Sequence, residues 1–176
     1  MTSKGILFVM SGASGVGKGS IHREVLARVP DIKLSISATT RPRRSGEVDG
    51  RDYFFISPSE FETKIKNNEF LEYAQVYSNM YGTLKSEVVH TLHSGYDVLL
   101  EIDIQGARQV REKMPQGVFI FIQPPSLGAL VERIHGRGLD SQQSIQDRLD
   151  ACHAEMSMAR YYDYVVINDR LEDAIK

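Results

Sequence analysis

The segment Gly12-Ala13-Ser14-Gly15-Val16-Gly17-Lys18-Gly19-Ser20 follows directly on the apolar run Ile6–Met10. A helical pattern with apolar residues at Ile21, Val25, Leu26 and Val29 comes after it. Glycines at this spacing let successive backbone N–H groups turn inward around an anion, where bulkier residues would obstruct them. The N-terminal dipole of the following helix adds to that field. Lys18 brings a mobile point charge suited to the β- and γ-phosphates of a nucleoside triphosphate. Strand, glycine loop and helix start together make a phosphate-binding P-loop, and the plainer alternative is a glycine-rich turn with a chance lysine. The place after the lysine, where a Ser or Thr hydroxyl would reach Mg²⁺, holds Gly19, and Ser20 lies one position further round the helix. This departure bears on direct metal coordination and leaves phosphate binding untouched.

A second cluster, Thr39-Thr40-Arg41-Pro42-Arg43-Arg44, sets several guanidinium groups on a loop stiffened by Pro42. Planar, doubly donating arginines suit a phosphate dianion better than lysines do. Alone, such a cluster reads as a solvated basic loop; beside a P-loop it points to a second phosphate-bearing substrate. Two carboxylates, Glu72 and Asp103, flank this segment in sequence. A carboxylate accepts from both N1–H and the exocyclic amine of guanine, whereas adenine presents a lone pair at that ring nitrogen. Taken singly, Glu72 reads as an ordinary exposed glutamate. Glu101-Ile102-Asp103 falls at the carboxyl end of an expected central strand, where ligands collect in open α/β sheets. An acidic residue at that place also helps hold Mg²⁺ in P-loop proteins.

These residues need rigid elements behind them. Ile6–Met10, Val98–Ile102, Val118–Ile122 and Tyr164–Ile167 are short apolar runs expected as buried parallel strands. The first three lead into helical patterns, the βα alternation of a three-layer α/β fold. Leu34–Val76 breaks the rhythm with turn-rich Gly46–Gly50, the run Tyr53–Ile56, a helix opening near Ser57-Pro58-Ser59-Glu60, and a strand at Phe70–Val76. We expect one domain: a core of residues 1–34, 86–125 and 147–176, an inserted mixed α/β lobe at 35–85 and a helical lid at 126–146. In the last of these, Gly136-Arg137-Gly138 interrupts a helix starting at Leu127, and a long helix then runs to about Tyr161. The chain ends at Leu171–Lys176 as a further helix begins, which suits a natural end or a truncated piece equally.

Composition narrows the class. The 176 residues suffice for one domain that buries roughly two-thirds of its unfolded surface. A net charge of −2 argues against nucleic-acid binding driven by phosphate attraction, although Arg41–Arg51 and Arg133–Arg148 are locally basic. The single Cys152 excludes an intramolecular disulfide, and His22, His90, His93, His135 and His153 have no metal-ligand spacing. With no signal peptide or membrane-length apolar run, the expectation is a cytoplasmic protein without nucleic-acid or membrane partners. Monomer and homodimer both remain open.

Taken together, the segments 11–20, 37–47 (Ser-Ala-Thr-Thr-Arg-Pro-Arg-Arg-Ser-Gly-Glu), 50–55, 69–74, 81–83 (Tyr-Gly-Thr), 101–106 (Glu-Ile-Asp-Ile-Gln-Gly) and 133–138 closely resemble guanylate kinases over nearly the whole chain. The resemblance implies ATP at Gly12, Ala13, Ser14, Gly15, Val16, Gly17, Lys18, Gly19 and Ser20, with Asn168 near the adenine. It implies GMP in the inserted lobe, its phosphate held by Arg41, Arg44, Tyr53 and Tyr81. Ser37, Glu72, Thr83 and Asp103 would read the base, and Gly82, between Tyr81 and Thr83, would also line the GMP site. Arg133, Arg137 and Arg148 match lid and lid-facing arginines that close over the ATP phosphates and, with Lys18 and Arg41, carry the catalytic charge. Mg²⁺ would be held mainly by phosphate oxygens and water, with Ser20, Glu101 or Asp103 as possible protein contacts.

The implied reaction is ATP + GMP ⇌ ADP + GDP, with dGMP as a further acceptor, in purine nucleotide metabolism. A GMP phosphate with a second pKa of about 6 is already ionised at neutral pH, so no general base is required. An interaction module that keeps the lobe but not catalysis is the rival from another class, and such modules typically lose the P-loop lysine and lid arginines present here. A P-loop kinase acting on a different phosphorylated small molecule is the rival enzyme.

Overall fold

The computed structural model describes residues 4–13, 15–126, 128–130 and 155–176. Two sheets organise them. The larger has five parallel strands in the order β2-β7-β1-β8-β9: β1 (Leu7–Gly12), β2 (Ile32–Leu34), β7 (Asp97–Glu101), β8 (Val118–Gln123) and β9 (Tyr164–Ile167). The smaller is mixed, in the order β4-β3-β6-β5: β3 (Ser37–Thr39), β4 (Phe54–Phe55), β5 (Phe70–Val76) and β6 (Asn79–Leu84).

Central strands of the parallel sheet are buried on both faces, so they read as continuous apolar runs. Val9, Val98, Leu100, Phe119 and Phe121 are almost wholly enclosed. Helix α1 (Lys18–Arg28) packs Ile21 against a cluster with Met10, Leu99 and Ile122. Helices α3 (Lys85–His93) and α4 (Ile104–Lys113) contribute Val88, Leu92, Ala107 and Val110 to a second cluster with Val9, Leu100 and Phe119. Helix α2 (Pro58–Lys66) places Phe61 on Phe70 in a third cluster, ring centroids 4.4 Å apart, beneath the mixed sheet. Its start is a capping box: the Glu60 N–H donates to Ser57 Oγ at 3.2 Å and the Ser57 N–H returns to the Glu60 carboxylate at 3.4 Å, with Pro58 in the first turn.

Some expected elements shift. The first strand begins at Leu7, and Ile6 is exposed. The fourth apolar run forms β9, but Tyr164, Val165 and Ile167 are exposed; among the described residues β9 is the sheet's edge, with β8 on one side only. The helix expected to reach Tyr161 gives way to a 3₁₀ turn over Ser157–Tyr161. A short final helix, α5, covers Leu171–Ala174. Most of the expected lid at 126–146 lies outside the described residues. No helix among those described is long and apolar enough to cross a membrane.

Candidate active site

Three groups of side chains gather at the carboxyl ends of β1 and β7 and on the facing mixed sheet. The first is the glycine loop. Gly17 caps α1 with φ 92°, a left-handed conformation that L side chains rarely adopt. A Cβ there would also lie 2.6 Å from Asn168 Nδ2. Asn168, buried just beyond β9, uses that nitrogen to donate to the Val16 carbonyl at 2.7 Å. Lys18 folds back over the loop, its ammonium donating to the carbonyls of Gly12 at 2.6 Å and Ala13 at 3.1 Å. Burial lowers its pKa, opposed by the negative fields of Glu101, Glu155 and Asp103.

The second group is acidic. Thr83 on β6 donates its hydroxyl to Glu72 Oε1 at 2.6 Å, and both residues are buried. Ser37 on β3 stands opposite Thr83 in the ladder, with Gly82 opposite Tyr73 of β5. Asp103 caps α4, accepting from the Gly106 N–H at 2.7 Å. The Glu72 and Asp103 carboxylates converge on Gly106: a Cβ built there would lie 3.0 Å from Glu72 Oε2 and 3.4 Å from Asp103 Oδ1. Desolvation raises the Glu72 pKa, and the Asp103 charge adds to the rise against the hydrogen bond from Thr83. The expectation of an exposed Glu72 is therefore corrected. Its ladder partner Thr83 and the close helix backbone enclose it, neither of which single-residue statistics register.

The third group is cationic and aromatic. The Arg41 guanidinium lies 5.4 Å from the Tyr53 ring centroid and 5.7 Å from that of Phe55, and Tyr53 meets Tyr81 edge-on at 6.0 Å. Arg41 Nη2 donates to Glu47 Oε1 at 2.7 Å, while Glu47 Oε2 accepts the Arg44 N–H at 2.8 Å. These bonds hold the Glu47 carboxyl below the usual carboxylate range, the Arg41 contact contributing most. The Arg44 side chain is exposed.

The guanylate kinase family profile matches residues 4–176. The chain belongs to the guanylate kinase family. It is 56% identical over 176 residues to a guanylate kinase of Syntrophomonas wolfei, covering all of this chain and 90% of that one. A guanylate kinase of Clostridioides difficile is 51% identical over 173 residues, covering 98% of this chain and 84% of the relative. Among solved structures, the guanylate kinase from Anaplasma phagocytophilum superposes with a TM-score of 0.73 at 33% identity, covering 99% of this chain and 82% of that one.

Within this guanylate kinase fold, the described residues expected from sequence fall into the same three groups: Gly12, Ala13 and Gly15–Ser20 with Asn168, then Ser37, Glu72, Gly82, Thr83 and Asp103, then Arg41, Tyr53 and Tyr81 with the exposed Arg44 beside them. Ser14, Arg133, Arg137 and Arg148 lie outside the described residues. Sequence reasoning missed three participants. Glu47, the last residue of the 37–47 motif, is the carboxylate that holds the Arg41 guanidinium. His22 Nδ1 faces Glu101 Oε2, a pairing foreshadowed by nothing in their spacing. Gln109 on α4 bonds the Tyr73 backbone in both directions.

For a metal, the described residues hold no group of three or more His, Cys, Asp or Glu side chains placed as ligands. What they offer is hard oxygen donors: Ser20 on the first turn of α1, and Glu101 and Asp103 at the end of β7. One Glu101 oxygen is engaged by His22 and one Asp103 oxygen by Gly106. That set suits Mg²⁺ held largely by phosphate and water, and would not build an all-protein cage.

Proposed function

We propose that the chain transfers the γ-phosphoryl group of ATP to GMP, and to dGMP, giving ADP and the guanine nucleoside diphosphate in the cytoplasm. The observation that carries the reading is the buried Glu72–Thr83 pair facing Asp103 a few residues beyond the strand that lies beside the P-loop strand. A carboxylate held there accepts from guanine N1–H and the exocyclic amine, which adenine cannot match. Ser37 stands next in the same ladder as a further polar contact. Tyr81 lies further along the same ladder, with Arg41 on the loop after β3 and Tyr53 just before β4, a group suited to the GMP phosphate with Arg44 beside it. The P-loop, braced by Asn168, cradles the ATP phosphates.

In the reaction, an ionised oxygen of the GMP phosphate attacks the γ-phosphorus in line. The bond from that phosphorus to the β–γ bridging oxygen breaks and its electrons leave with ADP. Lys18 moves from the loop carbonyls to the charge developing on the transferring group. Arg133 and Arg137 of the expected lid, with the lid-facing Arg148, would add further charge, and exclusion of water would prevent hydrolysis. Mg²⁺, contacted by Ser20, Glu101 or Asp103 directly or through water, would draw off charge from the triphosphate oxygens. Coupled ADP-release assays with GMP, dGMP, AMP and UMP test the assignment. Turnover confined to GMP and dGMP is expected, and equal turnover of AMP would end the guanine reading.

A further inference from the structure

We propose that Gln109 is a positioning residue for guanine recognition, setting the Glu72 carboxylate by clamping β5 to α4; this rests on the reading of Glu72 as the guanine acceptor. Strand β5 is the edge of the mixed sheet, with β6 on one side only. An edge strand leaves backbone groups unpaired on its outer side. The primary amide of Gln109 fills that place at Tyr73, the residue next to Glu72. The Tyr73 N–H donates to Gln109 Oε1 at 3.2 Å, and Gln109 Nε2 donates to the Tyr73 carbonyl at 3.0 Å. One side chain thus presents the acceptor and donor that a neighbouring strand would.

The rest of α4 extends the clamp along the same helix face, since residues three and four apart are neighbours there. Lys113 Nζ donates to the Phe70 carbonyl at 2.8 Å. Leu71 is fully buried with Ala107 and Val110. Gly106 brings helix backbone against the Glu72 carboxylate. Four consecutive β5 residues, Phe70 to Tyr73, are therefore held by one face of α4. The other edge of β5 is less decisive at this point, because its register with β6 slips between Phe70 and Glu72. A bulge of that kind leaves the side-chain direction to be fixed by whatever else grips the strand. Gln109 grips it one residue beyond Glu72, on the helix that Asp103 itself caps. The two carboxylates that would read the base thereby share one rigid support.

The test uses Gln109→Met, which keeps length and loses both hydrogen bonds, and Gln109→Glu, which keeps an acceptor for Tyr73 and loses the donor. GMP is compared with IMP, which lacks the exocyclic amine. With both bonds removed, the ratio of kcat/KM for GMP over IMP should narrow about tenfold, through KM for the monophosphate, with KM for ATP unchanged. In a Glu72→Gln background, Gln109→Met should narrow the ratio no further. Equal losses for GMP and IMP, an unchanged ratio, or a further loss in the Glu72→Gln background would each overturn the proposal. If Gln109→Met does not fold, the ratio in Gln109→Glu decides. A wild-type ratio in Glu72→Gln alone would remove the guanine reading itself, an outcome distinct from failure at Gln109.

Discussion

Asn168 Nδ2 donates to the carbonyl oxygen of Val16 at 2.7 Å, joining the end of β9 to the middle of the glycine loop. The Asn168 N–H also donates to the Gln123 carbonyl at 2.9 Å, so the residue that braces the loop is itself continuous with the β8–β9 ladder. The loop's shape is thus held from the parallel sheet as well as from α1. Gly17 and Asn168 depend on each other, since any side chain at 17 would occupy the space of the Asn168 amide. A phosphate cradle made of backbone N–H groups works only if that backbone is fixed in advance.

Asn168→Ala should therefore weaken use of ATP while leaving GMP affinity intact. It removes one hydrogen bond and leaves the buried Val16 carbonyl unpaired, a loss of roughly 1–3 kcal/mol, or about 5- to 150-fold in kcat/KM for ATP. Asn168→Asp should be no milder despite its equal size, because a carboxylate oxygen would face a carbonyl oxygen. Initial rates with ATP and GMP varied separately check this. A matching loss in GMP affinity would place Asn168 in general stability instead.

Lys18→Ala should nearly abolish kcat and leave GMP binding by calorimetry close to wild type, since in the proposed mechanism the ammonium meets charge that grows in the transition state. The pH dependence follows from burial, which lowers the Lys18 pKa in the free enzyme below the ordinary 10.5. Deprotonation then removes the cation at lower pH than for a free lysine. The alkaline limb of kcat/KM for ATP, which reports the free enzyme, should fall below pH 10.5. In the kcat profile, where bound phosphates favour the ammonium, the limb should move upward. Superimposable limbs would separate Lys18 from the phosphates.

Glu72→Gln should trade function for stability. Burial and the Asp103 charge raise the Glu72 pKa in the folded protein, so the native state binds this proton more tightly than the unfolded chain does. The linkage sign is then fixed: this group's contribution to stability is greatest below the unfolded value near 4.5 and is lost as pH rises through the higher folded value. The glutamine variant escapes that loss. Without ligand it should melt higher than wild type above this window, with each kcal/mol relieved worth about 2–4 °C at this chain length. Its GMP affinity should fall roughly 10- to 150-fold, as expected for a charged hydrogen bond. Melting curves from pH 4 to 9 with and without GMP should cross in sign, and a variant less stable than wild type at pH 8 would contradict the account.

How much of this was legible beforehand depends on how local the cause is. The P-loop reads directly because its strand, glycines and lysine are consecutive, and α2 reads from Ser57-Pro58-Ser59-Glu60 because the capping box closes within four residues. Strands β2 and β3, of three residues each, have too few side chains for a period-two pattern, and β6 is interrupted by Gly82 and Thr83. The burial of Glu72 is set by Thr83 across a hairpin and by Gly106 on a separate helix, so no window around residue 72 contains its cause. The same holds for Gln109, whose partner lies 36 positions away. The apolar run of β9 misleads for a different reason: edge and central strands share a composition, and only sheet order tells them apart.

The Arg41–Glu47 pair supplies the last test. Glu47 accepts from the Arg41 guanidinium and from the Arg44 N–H at once, so it both orients Arg41 and closes the loop that carries it. Glu47→Gln keeps one acceptor but turns an amide donor toward one of these two donors. GMP affinity should fall several-fold, less than the loss in Arg41→Met, which removes the cation itself. If Glu47 works through Arg41, adding Glu47→Gln to Arg41→Met should cost little more, a non-additivity within the ~0.5–3 kcal/mol typical of contacting residues. Arg41→Lys should restore only part of the affinity, since one ammonium cannot donate in two directions from a plane. Calorimetric titration of GMP into the four proteins of the cycle measures this. Fully additive losses would mean that Glu47 shapes the loop without acting on Arg41, and that the guanidinium finds the phosphate by its place on the loop after β3 and its stacking against Tyr53 alone.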